Sequence, residues 1–241
     1  MSNVNDVAFG DNENFQNAAQ DADEQYVLYW KDTVKSMPTK GVDILDMGSG
    51  TRLFFEKYII SERGLIDCID CIDCLDIHQS ADCDKVYNKF YEKNIENKIK
   101  FEKNYDVVTL FEVLEHVDCT DKVIANVYNA LKRGGDFFIA VPNLTSIFSK
   151  IEILLGYQPH CLEMSNINAN YGSGIFGKMN NKTGNTLHHI RGISYRGLEE
   201  MLKAHGFKVI DSKGYINGPF KWYAKLFKKS ASLIWFHCVK Q

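Results

Sequence analysis

The sequence lacks the features that would indicate a membrane span, a secreted scaffold or a nucleic-acid partner. No apolar run approaches the ~20 residues that a bilayer-spanning helix needs. The acidic, asparagine-rich residues 1–16 do not resemble a secretory signal. The formal net charge is −3, so no excess of positive charge would attract nucleic acid. We therefore expect a cytoplasmic protein with no transmembrane segment and no nucleic-acid partner.

The size and composition are typical of a globular protein. The chain has 241 residues, of which 45% are hydrophobic and 24% are charged. These proportions exclude global disorder, collagen and a coiled coil. Residues 1–23 contain five acidic residues and neither Lys nor Arg. We interpret them as a flexible N-terminal arm that precedes one domain over residues 24–241.

Continuous apolar runs alternate with amphipathic segments along this domain. The strand-like runs are 42–47, 65–77, 106–111, 136–141, 207–210 and 232–239, and the helical patterns are 24–36, 53–61, 120–132 and 194–205. Such alternation is typical of an α/β protein with a mostly parallel sheet covered on both faces. We predict a Rossmann-like, doubly wound sheet of about seven strands, with its ligand site at the carboxyl ends of the strands.

A glycine turn follows the first predicted strand. Residues 43–50 (DILDMGSG) join a strand, an acid and a Gly-x-Gly turn. Gly48 permits a tight turn, and Gly50 lets a ligand approach the backbone before the next helix. A dinucleotide-binding turn would have a third glycine at position 53, where this chain has Leu53. The turn therefore disfavours a nicotinamide cofactor, and a purely structural turn stays open.

Three segments read together resemble a known family. ILDMGSGTR (44–52), YDVVTLFEVLEHV (105–117) and ALKRGGDFFIAVPN (130–143) are similar, in order and spacing, to the motif I, fourth-strand and fifth-strand motifs of the class I S-adenosylmethionine-dependent methyltransferases. The resemblance covers residues 40–143 and extends more weakly to 188–210. It implies S-adenosylmethionine as the cofactor and methyl transfer as the activity.

The resemblance also implies which residues surround the cofactor. Asp46, the acid of motif I, would lie near the methionyl group. The turn residues Gly48, Ser49 and Gly50 would lie against it, and the fourth-strand residues Phe111 and Glu112 would flank the methyl donor.

The ribose contact is ambiguous in the sequence. In the family, an acid at the end of the second strand binds both ribose hydroxyls, since a carboxylate can accept two hydrogen bonds side by side. Three acids in the second strand-like run meet this description, and we favour Asp70 and Asp73 over Asp76.

Two departures from the family pattern bear on activity. Arg52 replaces the third glycine of motif I. No third strand with an adenine-binding acid is identifiable between Asn88 and Asn104. These departures keep open a catalytically inactive binding module of the same fold.

The residues predicted to act on the methyl acceptor are two histidines and a long connection. A hydroxyl acceptor needs a general base, and His116 and His189 are the candidate catalytic residues. The irregular, Gly- and Asn-rich stretch 143–190 is interpreted as an inserted lid that binds the acceptor. We expect a small molecule, namely a saccharide or related metabolite. The basic, aromatic segment 220–229 is interpreted first as an amphipathic helix that covers the sheet, and contact with a lipid-linked saccharide stays open.

A nucleic-acid methyltransferase is the alternative enzyme. Methyltransferases that act on base amino groups carry an Asp/Asn/Ser-Pro-Pro-Tyr/Phe motif after the fourth strand. This chain reads LFEV at 110–113, so the motif is missing.

A cysteine cluster is the unusual feature of the composition. Four of the seven cysteines, Cys68, Cys71, Cys74 and Cys83, fall within sixteen residues, and His78 lies nearby. The C-x2-C-x2-C spacing resembles part of an iron–sulfur motif. A strand has a period of two, however, so it cannot direct residues three apart to one side. Because this segment is needed as a strand, we predict that these cysteines bind no metal. No metal ligand is assigned elsewhere, and whether the reaction needs a divalent metal stays open.

Overall fold

The computed structural model describes residues 24–39, 41–50, 54–61, 69–77, 87–179, 187–217 and 220–241. The predicted N-terminal arm lies outside these ranges, as do Arg52 and His78. Two of the clustered cysteines, Cys68 and Cys83, also lie outside them. Asp70 is described by its backbone only.

Strands and helices alternate along the described residues. The strands are β1 (Val42–Met47), β2 (Ile69–Asp76), β3 (Lys89–Glu92), β4 (Tyr105–Phe111), β5 (Leu131–Pro142), β6 (Phe207–Tyr215) and β7 (Leu233–Lys240). The α-helices are α1 (Glu24–Ser36), α2 (Phe54–Ser61), α3 (Thr120–Ala130), α4 (Ile147–Leu154), α5 (Gly174–Met179), α6 (Tyr195–Ala204) and α7 (Lys221–Leu226). Short 3₁₀ turns occur at Leu114–His116 and Lys228–Ser230.

The strands form one seven-stranded sheet in the order β3-β2-β1-β4-β5-β7-β6. All neighbouring pairs are parallel except those made by β7, which runs antiparallel to both β5 and β6. The predicted mostly parallel, doubly wound sheet is thereby confirmed. The strand order reverses between β1 and β4, where Asp46 is paired with Thr109.

Side-chain alternation divides the core between the two faces of the sheet. One buried cluster joins Leu45 and Met47 of β1 to α3 and α6. The other joins Ile44 of β1 to α1 and α2. Because successive residues of a strand point to opposite faces, the continuous apolar runs supply both clusters.

The sequence prediction was wrong at the junction between α3 and β5. The helical pattern was expected to run over residues 120–132, but the helix ends at Ala130, and Leu131 already pairs with Tyr105. Its N-cap residue is Cys119, which makes no side-chain cap hydrogen bond. The pairing register of β4 with β5 shifts between Tyr105 and Val107. Gly134, at φ 77°, lies within the strand at this irregularity, where left-handed backbone favours glycine.

Two other segments differ from expectation. The third strand, which sequence patterns did not reveal, is β3, only four residues long and paired with Asp73–Asp76 of β2. The stretch 143–190 is not wholly irregular, because its described part contains α4 and α5. Within the described ranges, no helix combines the length and the apolar character needed to cross a membrane.

Truncating the central aromatic side chain Phe138 should destabilise the fold. Phe138 is fully buried on β5 and stacks on Trp235 of β7. Phe138→Ala should lower the free energy of unfolding by about 3–5 kcal/mol, since it removes a large buried side chain and leaves a cavity. Ile210→Ala, at a half-exposed position of the edge strand β6, is the control and should change stability by less than about 0.5 kcal/mol. Urea denaturation measures both, and equal losses would contradict this account of the core.

Candidate active site

A cavity of about 340 Å³ opens at the carboxyl ends of β1, β2 and β4. This is the expected ligand position in an open sheet whose strand order reverses between β1 and β4. The cavity is lined by Gly48, Gly50, Leu75, Asp76, Ile77, Lys93, Asn94, Ile95, Glu96, Glu112, Val113, His116 and Val117. A larger cavity, of about 530 Å³, lies between α1, β6 and α7. It contains no residue of the three sequence motifs, so we place the candidate site in the smaller one.

The glycine turn forms one wall of this cavity. The N–H of Gly48 donates to the Leu75 carbonyl at 2.7 Å, and the weaker contact from the Ser49 N–H to the same oxygen spans 3.4 Å. Gly48 has φ 83°, and a Cβ there would lie 2.3 Å from Val113 Cγ2. Gly50 has φ 65° and faces open space, with no atom within 4 Å of a hypothetical Cβ. The first glycine is therefore needed for packing, and the second leaves room for a ligand.

Asp76, one of the three acids considered for the ribose, lines the cavity. It ends β2, and its Oδ2 accepts the Gly50 N–H at 2.9 Å while its Oδ1 accepts the Ile77 N–H at 2.7 Å. Asp70 is the second residue of β2, at the opposite end of the strand from the cavity. The structure therefore places Asp76 at the carboxyl end of β2, beyond the favoured Asp70 and Asp73.

Asp73 has a different environment inside the sheet. It is 2% exposed, and its Oδ2 accepts the hydroxyl hydrogen of Tyr105 at 2.6 Å. Its Oδ1 accepts from the Cys71 thiol at 3.1 Å, and Lys103 Nζ lies 3.9 Å from Oδ2. These partners satisfy a carboxylate that would otherwise be costly to bury. Asp73 is not among the residues that line the cavity.

Asp46 is buried below the glycine turn. Its carboxyl hydrogen bonds to the Thr109 hydroxyl on β4 and to Glu56 on α2. Burial, followed by the nearby Glu56 carboxyl, raises the pKa of Asp46 well above its usual range. Two adjacent buried carboxyls cannot both ionise cheaply, so this pair favours a shared proton. Asp46 is buried beneath the glycine turn and is not among the residues that line the cavity.

The two predicted fourth-strand residues separate at the end of β4. The ring of Phe111 packs on Tyr29 and Phe55, with each pair of centroids 5.0 Å apart. It belongs to the aromatic core next to α1 and α2. Glu112 lines the cavity and has φ 54°, and its N–H donates to the Ala140 carbonyl at 2.9 Å. The left-handed backbone at Glu112 marks the point where the strand turns into the site.

The wall opposite the glycine turn follows β3, and sequence reasoning missed it. Asn94 Oδ1 accepts the Glu96 N–H at 2.7 Å, which forms a tight turn beside Ile95. The Glu96 carboxylate in turn accepts the Cys119 N–H at 2.6 Å. The signal was weak because the strand that presents this turn has only four residues.

The two candidate catalytic histidines lie together, although 73 positions separate them in the sequence. The rings of His116 and His189 are in edge-to-face contact, with centroids 4.8 Å apart. Glu115 lies beneath them, and its Oε1 is 3.7 Å from His116 Nε2 and 4.0 Å from His189 Nε2. Burial raises the pKa of Glu115 to about 8 and lowers that of His116. Glu115, His116 and His189 are thus a donor set that could hold a metal ion.

Backbone hydrogen bonds bring His189 to this place. The Glu115 carbonyl accepts the N–H groups of Ile190 at 2.9 Å and Arg191 at 3.0 Å. The Glu163 carboxylate accepts those of Leu187 and His188 at 2.8–3.0 Å. The connection is therefore fixed on both sides of His189.

The cysteines described by the structure do not form a metal centre with one another. Cys71 and Cys74 lie on β2, where their odd spacing directs them to opposite faces. The Cys74 thiol donates to Glu56 at 3.1 Å. Burial raises the pKa of Cys71 to about 12 and that of Cys74 well above its usual range. Thiolates, which metals require, are disfavoured at both positions.

Comparison with known proteins relates this geometry to a family. A family model described as a methyltransferase domain matches residues 22–212. The ubiquinone biosynthesis O-methyltransferase of Dictyostelium discoideum mitochondria is 31% identical over 134 residues, which are 50% of this chain and 41% of that protein. Its counterpart in Candida albicans is 29% identical over 105 residues, or 42% and 32% of the two chains. This chain thus spans less than half the length of these relatives.

Solved structures share the fold at low sequence identity. An S-adenosylmethionine-dependent methyltransferase from Mesorhizobium loti superposes with a TM-score of 0.56 at 11% identity, covering 87% of this chain and 96% of that one. The magnesium protoporphyrin IX methyltransferase of Synechocystis, solved with S-adenosylhomocysteine, gives 0.55 at 10% identity, with 94% and 93% covered. The chain therefore belongs to the methyltransferase-domain family, the class I S-adenosylmethionine-dependent enzymes that its motifs predicted.

Proposed function

We propose that this protein transfers the methyl group of S-adenosylmethionine to a hydroxyl group of a small-molecule acceptor. The observation that carries the proposal is the histidine pair, His116 and His189, at the end of the cavity where Glu112 lies. Methyl transfer to a hydroxyl requires a group that takes up or stabilises the charge left when the proton departs. The names of the O-methyltransferase relatives agree with oxygen as the acceptor atom.

The cavity fits the cofactor. The open space above Gly50 can receive a ligand that a side chain would exclude. We infer that the ribose hydroxyls bind Asp76, because its carboxylate ends β2, lines the cavity and lies beside the glycine turn, where its Oδ2 accepts the Gly50 N–H. The adenine would then lie toward Asn94 and Ile95, and the methionyl group toward Gly48 above Asp46.

The chemistry of the step is a displacement at carbon. When bound, S-adenosylmethionine supplies a methyl carbon on a positively charged sulfur. A C–O bond forms as the C–S bond breaks, and the electron pair of that bond stays on sulfur. The protein has to align the acceptor oxygen with this bond, which is the largest contribution expected here. His116 Nε2 and His189 Nε2 are placed to deal with the hydroxyl proton.

The described surface next to His189 supports an acceptor with an apolar body. Leu187 and Ile190 lie within two residues of His189 in the chain. Met164 directly follows Glu163, whose carboxylate holds this segment. All three apolar side chains are exposed. Large exposed apolar side chains grouped beside a site indicate a ligand or partner contact. The saccharide and lipid-linked saccharide acceptors expected from the sequence, and a cytoplasmic location, stay predictions.

We further propose that the 143–190 connection is the acceptor-binding lid of a domain that spans residues 24–241. Its support is Glu163, whose carboxylate holds the backbone that leads to His189. This contact makes Glu163 a positioning residue. The lid would close over the acceptor only while this segment keeps His189 beside His116.

The first test measures cofactor binding and transfer in the same preparation. Calorimetry should show binding of S-adenosylmethionine, and acceptor panels of phenols and saccharides should give S-adenosylhomocysteine with at least one hydroxyl compound. His116→Ala and His189→Ala should each lower kcat by about 10²–10⁴-fold, the range of acid–base catalysis. His205→Ala, at the residue that caps the carboxyl end of α6, is the control. If the wild-type protein does not bind S-adenosylmethionine at millimolar concentration, the result would instead support an inactive module. Histidine variants that lose affinity for S-adenosylmethionine but keep the wild-type kcat would contradict the histidine roles.

A second test separates the acids of β2. Asp76→Ala should weaken S-adenosylmethionine binding by about 10–100-fold, because hydrogen bonds to a charged group contribute roughly 1.5–3 kcal/mol. Asp73→Asn should instead lower the melting temperature and leave the affinity of the folded protein within about 3-fold. Calorimetry and thermal denaturation distinguish the two outcomes. A larger affinity loss at Asp73 than at Asp76 would reverse the assignment.

A third test concerns the lid. Glu163→Ala should lower kcat by about 10–100-fold, because a small displacement of His189 misaligns the site. The affinity for S-adenosylmethionine should stay within about 2-fold, since Glu163 does not line the cofactor cavity. Glu199→Ala removes a partly buried carboxylate on α6 that pairs with Lys203, and it serves as the control. Unchanged turnover in Glu163→Ala would remove the support for its positioning role.

A further inference from the structure

The cavity of about 530 Å³ between α1, β6 and α7 is not used by the proposed function. No described residue lines both this cavity and the cofactor cavity. Part of its wall is apolar, with Leu28 of α1, Ile216 after β6 and Ala224 of α7, and the last two side chains are buried. A volume of about 300–1,000 Å³ with mostly apolar walls is typical of small-molecule sites. The cavity can therefore enclose the apolar body of a ligand.

Lysines dominate the charged part of the wall and give the lysine cavity its name. The four that line it are Lys213, Lys221, Lys225 and Lys228. Of the described lining residues one is acidic, Asp32, whose Oδ2 accepts the Tyr215 hydroxyl at 2.7 Å and whose Oδ1 lies 2.9 Å from Lys213 Nζ. Four lysines and one aspartate give this lining a formal charge of +3. The lysine cavity therefore attracts an anion.

Hydrogen bonds fix one of these lysines in place. Lys228 Nζ donates to the carbonyl oxygen of Ser212 at 3.1 Å and to its hydroxyl oxygen at 2.9 Å. Ser212 is buried, and its Oγ lies 2.6 Å from the Tyr195 hydroxyl. Both acceptors are uncharged, and an ammonium has three N–H donors, so Lys228 keeps its charge and one N–H for a ligand. A cation held in this way loses little freedom when an anion binds to it.

Exposed apolar side chains adjoin the lysine cavity at α7. Four large ones in this segment are 50–70% exposed, namely Phe220, Trp222, Leu226 and Phe227. Lys221 and Lys225 of the cavity wall lie between them in the sequence. Grouped exposed apolar side chains indicate a ligand or partner contact, and lysines among them favour a negatively charged one. A small inorganic anion would not contact the apolar wall, and an uncharged apolar molecule would leave the lysines uncompensated.

From these observations we propose that the lysine cavity binds an anionic amphiphile, a carboxylate or phosphate attached to an apolar chain. The anionic group lies against Lys225 and Lys228, and the chain runs along Leu28, Ile216 and Ala224. A free amphiphile and an anionic lipid of a bilayer share this chemistry. The proposal goes beyond methyl transfer and does not depend on it, because the two cavities have no described lining residue in common.

The test titrates the full chain with decyl phosphate and with decanoate in a calorimeter. Each should bind with one molecule per chain, and added salt should weaken the binding because it screens the lysines. Decanol and decyltrimethylammonium carry the same chain without the negative charge and should bind at least 10-fold more weakly. Octyl phosphate should bind about 10-fold more weakly than decyl phosphate, since two fewer CH₂ groups are buried. Inorganic phosphate should not bind.

Variants of the cavity wall locate the site. Lys225→Glu should weaken the binding of decyl phosphate at least 10-fold, because it places a like charge beside the phosphate. Ala224→Leu should weaken it by a similar factor, because the larger side chain fills part of the cavity. Lys122→Glu makes the same charge change on α3, away from the cavity lining, and should bind as the wild type does. A melting temperature within about 3 °C of wild type shows that a variant is folded.

Vesicles separate the two sources of the ligand. Sedimentation with phosphatidylcholine vesicles that contain phosphatidylglycerol, but not with pure phosphatidylcholine, identifies a bilayer lipid if Lys225→Glu abolishes it. Binding of decyl phosphate without such sedimentation identifies a free amphiphile. Absence of binding of both decyl phosphate and decanoate at millimolar concentration would overturn the inference. Equal affinity for decanol, or an affinity for decyl phosphate that is unchanged in Lys225→Glu, would overturn it as well.

Discussion

The parallel pairing of β1 with β4 is the constraint on which the site depends. At this pair the strand order changes direction, so the helices that follow the two strands leave toward opposite faces and open a crevice between them. The glycine turn follows β1, and Glu112 follows β4. Asp46 and Thr109 are paired across the two strands and joined by their side chains. The pairing register of β1 with β4 therefore sets the distance between the glycine turn and Glu112 at the cavity.

Buried acids occur on both sides of this pair, and each is accommodated differently. Asp46 shares hydrogen bonds with Thr109 and Glu56, and Asp73 receives the Tyr105 hydroxyl. Glu115 receives no such donor. The cost of burying a carboxyl is offset within the protein in the first two cases, which makes them structural. For the third carboxyl, the described residues supply no such donor, so buried acids stand in two different environments beside the same pair of strands.

The cofactor side was largely predictable from the sequence because its residues are local. The strand, acid and glycines of residues 43–50 are contiguous. The parallel sheet is indicated by strands that are apolar at nearly every position, as expected for strands buried on both faces. The sequence left three acids open for the ribose, because Asp70, Asp73 and Asp76 repeat every three residues within one strand-like run. The pairing of β2 with β3 shows that the strand ends at Asp76, which places that acid at the cavity. Four-residue β3 gave too little pattern to identify.

The acceptor side was less predictable because it depends on contacts between distant segments. The pattern at 105–117 places His116 at the end of a strand, but no local signal shows that His189 lies 4.8 Å from its ring. That proximity comes from one carbonyl, that of Glu115, which accepts two N–H groups of the returning chain. Glu115 thus contributes twice: its backbone anchors the segment that carries His189, and its side chain faces the histidine pair. A change in the connection would therefore displace His189 while the glycine turn and Asp76 keep their places at the carboxyl ends of β1 and β2.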